Sequence, residues 1–486
     1  MRMLLSEVAE IFGQGWQAQE QLATGVSTDS RSTIGGDLFF ALEGDNFDGH
    51  DYLSAAKSRG AVAAIISEKK LDKVTVSESE MPTIKVADTT ASLGVLAQYW
   101  HQRCGTKTIA ITGSVGKTTV KEMLSAMLIS EFEICVTQGN FNNHIGLPLT
   151  LFRETQEHQF AVIEMGANAK NEISELCQIA TPEIGIITQI AEAHLSGFES
   201  IKGVASAKSE LFASLSEDGT AIINMDSAEI EILLAASNHC KQIKVSLQQQ
   251  PESDLWAKDL QALEEAWEFT CCSHNNSFKV HLNLPGKHNV INALLAISAV
   301  NIITENDSVL SAKFATKLAT LNPVPGRLEI HHLPHHGKLF DDSYNANPTS
   351  VKAAMDLLAE QPGQKIFVLG DMGELGVNEV HLHINCGEYA RERKIDKLFC
   401  IGHLAQYAAD VFSENGKIFT NKENLIEELI NQLSQQTSIV VKGSRSAKME
   451  QVVDGIIKKL KMDTSLKGNL LSSNNRQKNN KRQEQI

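Results

Sequence analysis

The sequence predicts an α/β chain of three domains: a small α/β block, a central parallel sheet built around a phosphate loop, and a second doubly wound sheet. Three observations predict it. A length of 486 residues exceeds one ordinary core and suggests about three domains. From about residue 107, short unbroken apolar runs alternate with helical stretches, as strands of a parallel sheet covered on both faces do. Between the first of those runs and the helix that follows stands a glycine loop, TGSVGKTT.

The first block, residues 1–86, mixes the runs DLFFAL, AVAAIIS and PTIKV with turn residues. Asp88 then reads as the N-cap of a helix carrying Leu93, Leu96, Ala97 and Trp100. The second block, 87–322, contributes KTIAIT, EICVT, QFAVIEMG, EIGIIT and TAIIN as strands. Its first helix is marked by Val120, Met123, Leu124, Met127 and Leu128 at i, i+3, i+4, i+7 and i+8. Later, EAWEFTCC and SFKVHLNL alternate with period two around SHNN, which predicts an antiparallel hairpin. Pro323-Val324-Pro325-Gly326 reads as a linker into the third block, 323–462, whose strands are KIFVLGD, KLFCIG and SIVVKGS. From 463 to 486 the chain is Lys, Asn, Gln and Ser without periodicity, which predicts a disordered, solvating tail of net charge +4 from Lys467 onward.

Composition excludes several classes of function. The net charge of -15 argues against nucleic acid as a partner, because phosphate-backbone binding runs on Lys and Arg. A small anion remains compatible, since nearby basic groups dominate within a screened cleft. No run of about 18 apolar residues occurs, and the N-terminal MRMLLSEVAEIF is too short and too interrupted to be a signal segment. No membrane partner and a cytoplasmic location are therefore expected. The eight cysteines show no CxxC spacing and read as reduced thiols.

The chemistry concentrates at the glycine loop. Phosphate needs backbone N–H groups at close range and the positive end of a helix, which Gly113, Ser114, Val115, Gly116, Lys117, Thr118 and Thr119 supply together. Lys117 would reach the β and γ phosphates of ATP, and the Thr118 hydroxyl would hold magnesium. Ile111 stands where a full Walker A loop has its first glycine, so the loop is the shorter GxxGK[ST]T form. Ligands of an open parallel sheet lie beyond the carboxyl ends of its strands. There Glu164 ends QFAVIE, as a magnesium ligand beside Thr118 would. His194 follows EIGIITQIAEA; an isolated histidine is more often structural, and its place at this edge is what makes it a candidate. Lys208, in ASAKSELF, is on its own a solvated helix lysine. His331-His332 and His335-His336 flank Leu333-Pro334 and read as a polar turn rather than a metal site. Asp371 and Glu374 in VLGDMGELG read as part of a loop that organises a closed site, in preference to catalytic acids.

The motifs TGSVGKTT, NFNNHIGLPLTL, EMGANAKNEI, EAHLSGF, AKSELF, GKHNVINALLA, PGRLE, DDSYNANPTSVKAAMDLL, VLGDMGELG and KGSR occur in this order. Together they resemble the Mur ligases over roughly residues 20 to 460, and the shortened phosphate loop is the form usual in that family. The resemblance implies a UDP-sugar-binding N-terminal domain, a central ATPase and a Rossmann-like C-terminal domain that closes over the site. It implies an ATP-dependent ligase, working as a monomer, that joins D-alanyl-D-alanine to UDP-N-acetylmuramoyl-tripeptide.

Residue by residue, it places Ser30 and Arg31 of TDSR, with Asp48 and His50, around the UDP moiety. Asn140, Asn142 and Asn143 would border the muramoyl-peptide. Glu164 and His194 would hold magnesium ions, and Lys208 matches the lysine that reacts with CO2 to form a metal-binding carbamate. Asn289 would face adenine, Arg327, Asp341 and Asn345 the nucleotide, and Lys442, Ser444 and Arg445 the dipeptide carboxylate. The alternatives within the family are the ligase adding the third amino acid, disfavoured because NANP stands in place of DNPR, and a folate polyglutamate ligase, disfavoured by the long N-terminal block with TDSR. A P-loop nucleotide switch would need a guanine-reading NKxD motif, which the sequence lacks.

Overall fold

The computed structural model describes residues 1–44, 47–70, 81–305, 307–333 and 336–461. The tail expected from 463 to 486 and His335 lie outside these residues.

The three predicted apolar runs of the first block, joined by Gly25–Ser27, form a four-stranded parallel sheet in the order Gly25–Ser27, Asp37–Phe40, Ala63–Ser67, Thr83–Val86. The helix Thr89–Cys104 follows, and Asp88 caps it as expected: its carboxylate accepts from the Thr90 and Ala91 amides at 2.8 and 2.9 Å. Leu93, Leu96, Ala97 and Trp100 are all buried. They join Leu38, Phe40, Ile65 and Ile84 of the small sheet to Ala110 and Ile163 of the central one, so a single apolar core runs through both units.

Among the described residues the central sheet has nine strands. Ile134–Val136, Phe160–Glu164, Lys107–Thr112, Ile184–Ile187, Thr220–Asn224, Lys241–Ser246 and Leu255–Ala262 lie side by side and parallel. Trp267–Ser273 and Ser277–Leu282 then turn back as antiparallel strands, the hairpin that period-two alternation predicts. Helix Lys117–Leu128 covers the second face with Val120, Met123, Leu124, Met127 and Leu128 all buried against helix His288–Ile303.

The third sheet runs Glu329–Leu333, Gly337–Asp342, Thr437–Lys442, Gln364–Gly370, Lys397–Ile401, Gly416–Phe419. Its first pair is antiparallel and the rest parallel, with separate apolar cores on its two faces. His331 and His332 lie within the strand Glu329–Leu333 rather than in a turn. The reason is pairing: His331 and His332 stand opposite Leu339 and Lys338 in the antiparallel ladder, which carries the chain straight through them. All eight cysteines are free. No helix of the described residues is long and apolar enough to cross a membrane.

Leu96 is fully buried in the core that bridges the first two sheets. Leu96→Ala should lower stability by about 2–5 kcal/mol, read as a lower midpoint of urea unfolding, while substrate KM values stay unchanged.

Candidate active site

Strand Lys107–Thr112 ends at a loop whose glycines are required by geometry. Gly113 and Gly116 hold φ of +143° and +89°, where side chains are strained, and a Cβ on Gly116 would lie 2.7 Å from Asn292 Oδ1. The neighbouring strand end pins the loop: the Ser114 amide donates to the Gln189 carbonyl at 2.7 Å, and the Thr188 hydroxyl to the Val115 carbonyl at 2.6 Å. Lys117 opens the helix and turns its ammonium back to the Gly113 carbonyl at 2.7 Å. Burial pushes that ammonium below the ordinary lysine range, with Glu164 opposing and Arg327 adding to the effect.

Glu164 ends the adjacent strand, opposite Ile111. Its carboxylate is 3% exposed and accepts from the Thr118 hydroxyl and the Asn142 amide, each at 2.8 Å. The Glu164 amide in turn donates to Thr137 Oγ at 2.9 Å. Among the described residues no Lys, Arg or His forms an ion pair with it. A buried carboxylate served only by neutral donors is the kind of group that binds a cation, and Thr118 offers an oxygen beside it. The residues present therefore fit magnesium.

Two further groups lie on the same side. His194 follows strand Ile184–Ile187, and the Phe198 ring stands edge-on to it at 6.5 Å between centroids. The ammonium of Lys208 sits 5.5 Å from the centre of that Phe198 ring and donates to the Ala167 carbonyl at 3.2 Å. Lys208 is 1% exposed, so it is not the solvated helix lysine that its local sequence suggests. Burial pushes its pKa down to about 7, the charge of Lys117 adds to this, and Glu172 and Glu210 oppose it. Burial likewise lowers the His194 imidazole; Glu374 opposes, and Lys117 and Lys208 both push it further down. The structure thus brings Thr118, Glu164 and Asn142 together by direct contact, with the Lys117 charge acting on Glu164 from the loop beside them. His194 and Lys208 join them through Phe198 and through the reach of the Lys117 charge.

The remaining predicted residues divide by whether their polar atoms are already engaged. Asn140 lends its backbone carbonyl to the Asn142 amide at 2.7 Å. Asn143 caps the helix Gly146–Leu151, accepting from the Ile145 and Gly146 amides. Asn289 is buried behind the loop, donating to the Pro285 carbonyl at 2.7 Å and accepting from Asn292 at 3.0 Å. His50 receives the Ser67 amide on Nε2 at 2.9 Å, so Nδ1 carries the proton and donates to Asp48 at 2.6 Å. Both ring nitrogens are engaged within the fold. Ser30 is buried near Arg31, which is exposed and paired with Asp29 at 2.7 Å.

In the third domain Arg327 lays its guanidinium 4.3 Å from the centre of the Tyr344 ring, and its Nε has no hydrogen-bond partner. Asp341 is buried at the end of its strand and accepts from the Ser343 amide at 3.0 Å; Asn345 is exposed. Lys442 is not displayed to a ligand. Its ammonium is paired with Asp342 at 2.5 Å and donates to the Asn345 carbonyl at 2.9 Å, with 3% of its side chain exposed. Ser444 is buried, whereas Arg445 is largely exposed, 5.9 Å from the Tyr344 ring centre and 3.2 Å from Glu450. Sequence reasoning passed over Thr188, Asp342 and Tyr344. The paired Asp341-Asp342 at a strand end was the available signal for Asp342, because adjacent strand residues face opposite ways.

The chain is matched over residues 23–101 by the family model "Mur ligase family, catalytic domain", over 111–300 by "Mur ligase middle domain" and over 326–445 by "Mur ligase, glutamate ligase domain". It is 38% identical to the UDP-N-acetylmuramoyl-tripeptide--D-alanyl-D-alanine ligase of Escherichia coli (strain K12), across 92% of this chain and 97% of that protein. It is 35% identical to the enzyme of the same name from Bacillus subtilis (strain 168), across 91% and 94%. Its fold superposes on a crystal structure of MurF from Acinetobacter baumannii with a TM-score of 0.86 at 30% identity, covering 94% of this chain and 99% of the other. With family segments matching the three domains in order and relatives aligned nearly end to end, the chain belongs to the Mur ligase family.

Proposed function

We propose that the chain joins D-alanyl-D-alanine to the terminal carboxylate of UDP-N-acetylmuramoyl-tripeptide, using ATP and releasing ADP and phosphate. It is an ATP-dependent ligase that forms a carbon–nitrogen bond in peptidoglycan synthesis. The observation that carries the reading is the buried Glu164 carboxylate beside Thr118 at a phosphate loop, in a chain aligned with 97% of such a ligase.

A carboxylate is a poor electrophile, so the substrate is first phosphorylated and the amine then attacks the acyl phosphate, expelling phosphate from a tetrahedral intermediate. The chain's task is to hold negative charge in place. The amides of 113–119 and the start of helix Lys117–Leu128 cradle the ATP phosphates. Lys117 leaves the Gly113 carbonyl and turns to them. Thr118 and Glu164 would supply oxygen ligands for one magnesium ion; an imidazole nitrogen of His194 and the carbamate oxygens of a modified Lys208 would hold a second. Bound there, magnesium offsets the phosphate charge and polarises the transferred group.

Lys208 would serve as a carbamate. Only a neutral amine adds to CO2, losing a proton as the N–C bond forms, and a pKa of about 7 makes that amine available near neutral pH. Asn140, Asn142 and Asn143 border the peptide, and Ser30 and Arg31 face the UDP group with Asp48 and His50 shaping the domain behind them. Asn289, Arg327, Asp341 and Asn345 surround the nucleotide. Arg445, exposed beside Tyr344, holds the dipeptide carboxylate, while Lys442 fixes the 342–345 segment through Asp342. We divide the chain at 86 and 322 into UDP-sugar, ATP and closing domains, and assign the work to a monomer in the cytoplasm, where the nucleotide substrates are made.

Glu164→Gln keeps the shape and both neutral donors while removing the charge. It should lower kcat on the order of a hundredfold, with partial recovery at high magnesium; an unchanged magnesium profile refutes the ligand role. For Lys208, uptake of 13C-labelled CO2, followed by carbon NMR against a Lys208→Met control, should set in near pH 7, below the range of surface lysines. The proton bookkeeping fixes the sign: uptake needs the deprotonated amine, so it rises with pH through the folded-state pKa. With UDP-muramoyl-tripeptide, ATP and magnesium, phosphate release should require D-alanyl-D-alanine and ignore lysine, diaminopimelate and glutamate. Arg445→Ala should raise the dipeptide KM far more than that of ATP. Release with a diamino acid and UDP-muramoyl-dipeptide instead would assign the chain to the preceding step.

A further inference from the structure

The turn after strand Gln364–Gly370 is held from several sides. The Asp371 carboxylate accepts the His403, Leu404 and Ala405 amides at 3.0, 2.9 and 2.7 Å, which ties it to the 403–405 backbone. The Met372 amide donates to His383 Nε2 at 3.0 Å, and Met372 and Leu375 are buried in the closing domain's core. What this rigid turn displays is Glu374, at φ +62°, a left-handed conformation in which glycine or asparagine is the residue of ease. Nothing within the turn accounts for a glutamate there.

Its partner lies on the central domain. The Glu374 carboxylate pairs with His194 Nδ1. The Ser196 amide donates to the Glu374 carbonyl at 3.2 Å, so side chain and backbone of one residue grip the same short segment. Gly376 packs its backbone on that segment, where a Cβ would lie 3.5 Å from the Leu195 carbonyl and the Ser196 amide. Leu195 in turn packs into the closing domain's core. His194 itself has φ +53°, so two residues in left-handed conformations meet across the domain boundary. Such strain persists where surrounding structure enforces it, and it gathers at functional sites.

We propose that Glu374 is a positioning residue for the ligase reaction: seated on His194 Nδ1 when the closing domain docks, it fixes the imidazole with Nε2 left as the free lone pair. A carboxylate at one ring nitrogen favours the proton there and raises the basicity of the other, the arrangement found behind metal-bound histidines. Docking of the closing domain and readiness of a cation ligand thereby become one event. The inference rests on the reading of His194 as a magnesium ligand.

The test uses the full chain with Glu374→Gln, His194→Ala and the double variant. In metal-free protein labelled with 15N-histidine, the His194 ring signal, identified by its loss in His194→Ala, should show Nδ1–H in the native chain and a mixture of tautomers in E374Q. E374Q should raise the magnesium concentration for half-maximal rate by about tenfold, with the UDP-substrate KM and the melting temperature unchanged. In the His194→Ala background the same substitution should add nothing. If His194→Ala shifts the magnesium dependence and E374Q alters neither the ring signal nor that dependence, the inference falls and the ligand reading stands. If His194→Ala leaves the magnesium dependence as it was, the ligand reading falls and takes the inference with it.

Discussion

The carboxyl group of Glu164 is buried beside the phosphate loop, and the surrounding structure is arranged around it. Glu164 ends a strand whose both neighbours are parallel, so its side chain emerges at the sheet's carboxyl edge beside the phosphate loop. There the low-dielectric surroundings would penalise an isolated carboxylate heavily. Thr118 and Asn142 reduce that penalty by hydrogen bonding, and the Lys117 charge acts on it from a distance without pairing. The loop turns its ammonium inward to the Gly113 carbonyl, beside the buried Glu164 carboxylate. Gly113 and Gly116, with Thr188 and Ser114 bracing them, serve to hold the amides open for that ligand.

The positive groups nearby form the complementary strain. Burial pushes protons off Lys117, Lys208 and His194 alike; the Lys117 charge adds to the effect on Lys208, and both lysine charges add to it on His194. Converting Lys208 from a would-be cation into a carbamate anion would reverse its sign toward both neighbours. Lys208 lies over the Phe198 ring and His194 stands edge-on to it, so burial around one aromatic side chain shifts both basic groups in the same direction.

Much of this was legible in the sequence because its signals are local. Buried parallel strands read as unbroken apolar runs, and Asp88, the helix after the loop and the 267–282 hairpin follow from capping and period alone. Residues whose roles depend on distant partners were not legible. Lys442 finds Asp342 a hundred positions away, and no spacing rule reveals that its charge is already engaged. His50 looks displayed beside Asp48, yet its second nitrogen is taken by the Ser67 amide of another strand. Lys208 reads as a solvated lysine because its helix pattern does not show which elements cover it. His331 and His332 read as a turn because flanking Pro334 outweighed the pairing with Lys338 and Leu339.

How firmly the third domain sits over this site follows from the contacts that hold it. Besides the 194–196 and 374–376 segments, Lys338 bridges Glu264 and Glu265 at 2.8 and 2.9 Å, and His332 reaches Glu265 at 3.1 Å. These pairs lie at a solvent-exposed rim, where each ion pair contributes little. The apolar share is small, with Leu195 the side chain that crosses into the closing domain's core. A docking surface of this kind favours one arrangement without locking it. A charged ligand bound between the domains would act with an energy comparable to those rim pairs, and would be able to decide the balance. A ligase that must admit three substrates and then exclude water needs that balance close to even, and weak rim pairs around a strained His194–Glu374 contact supply it.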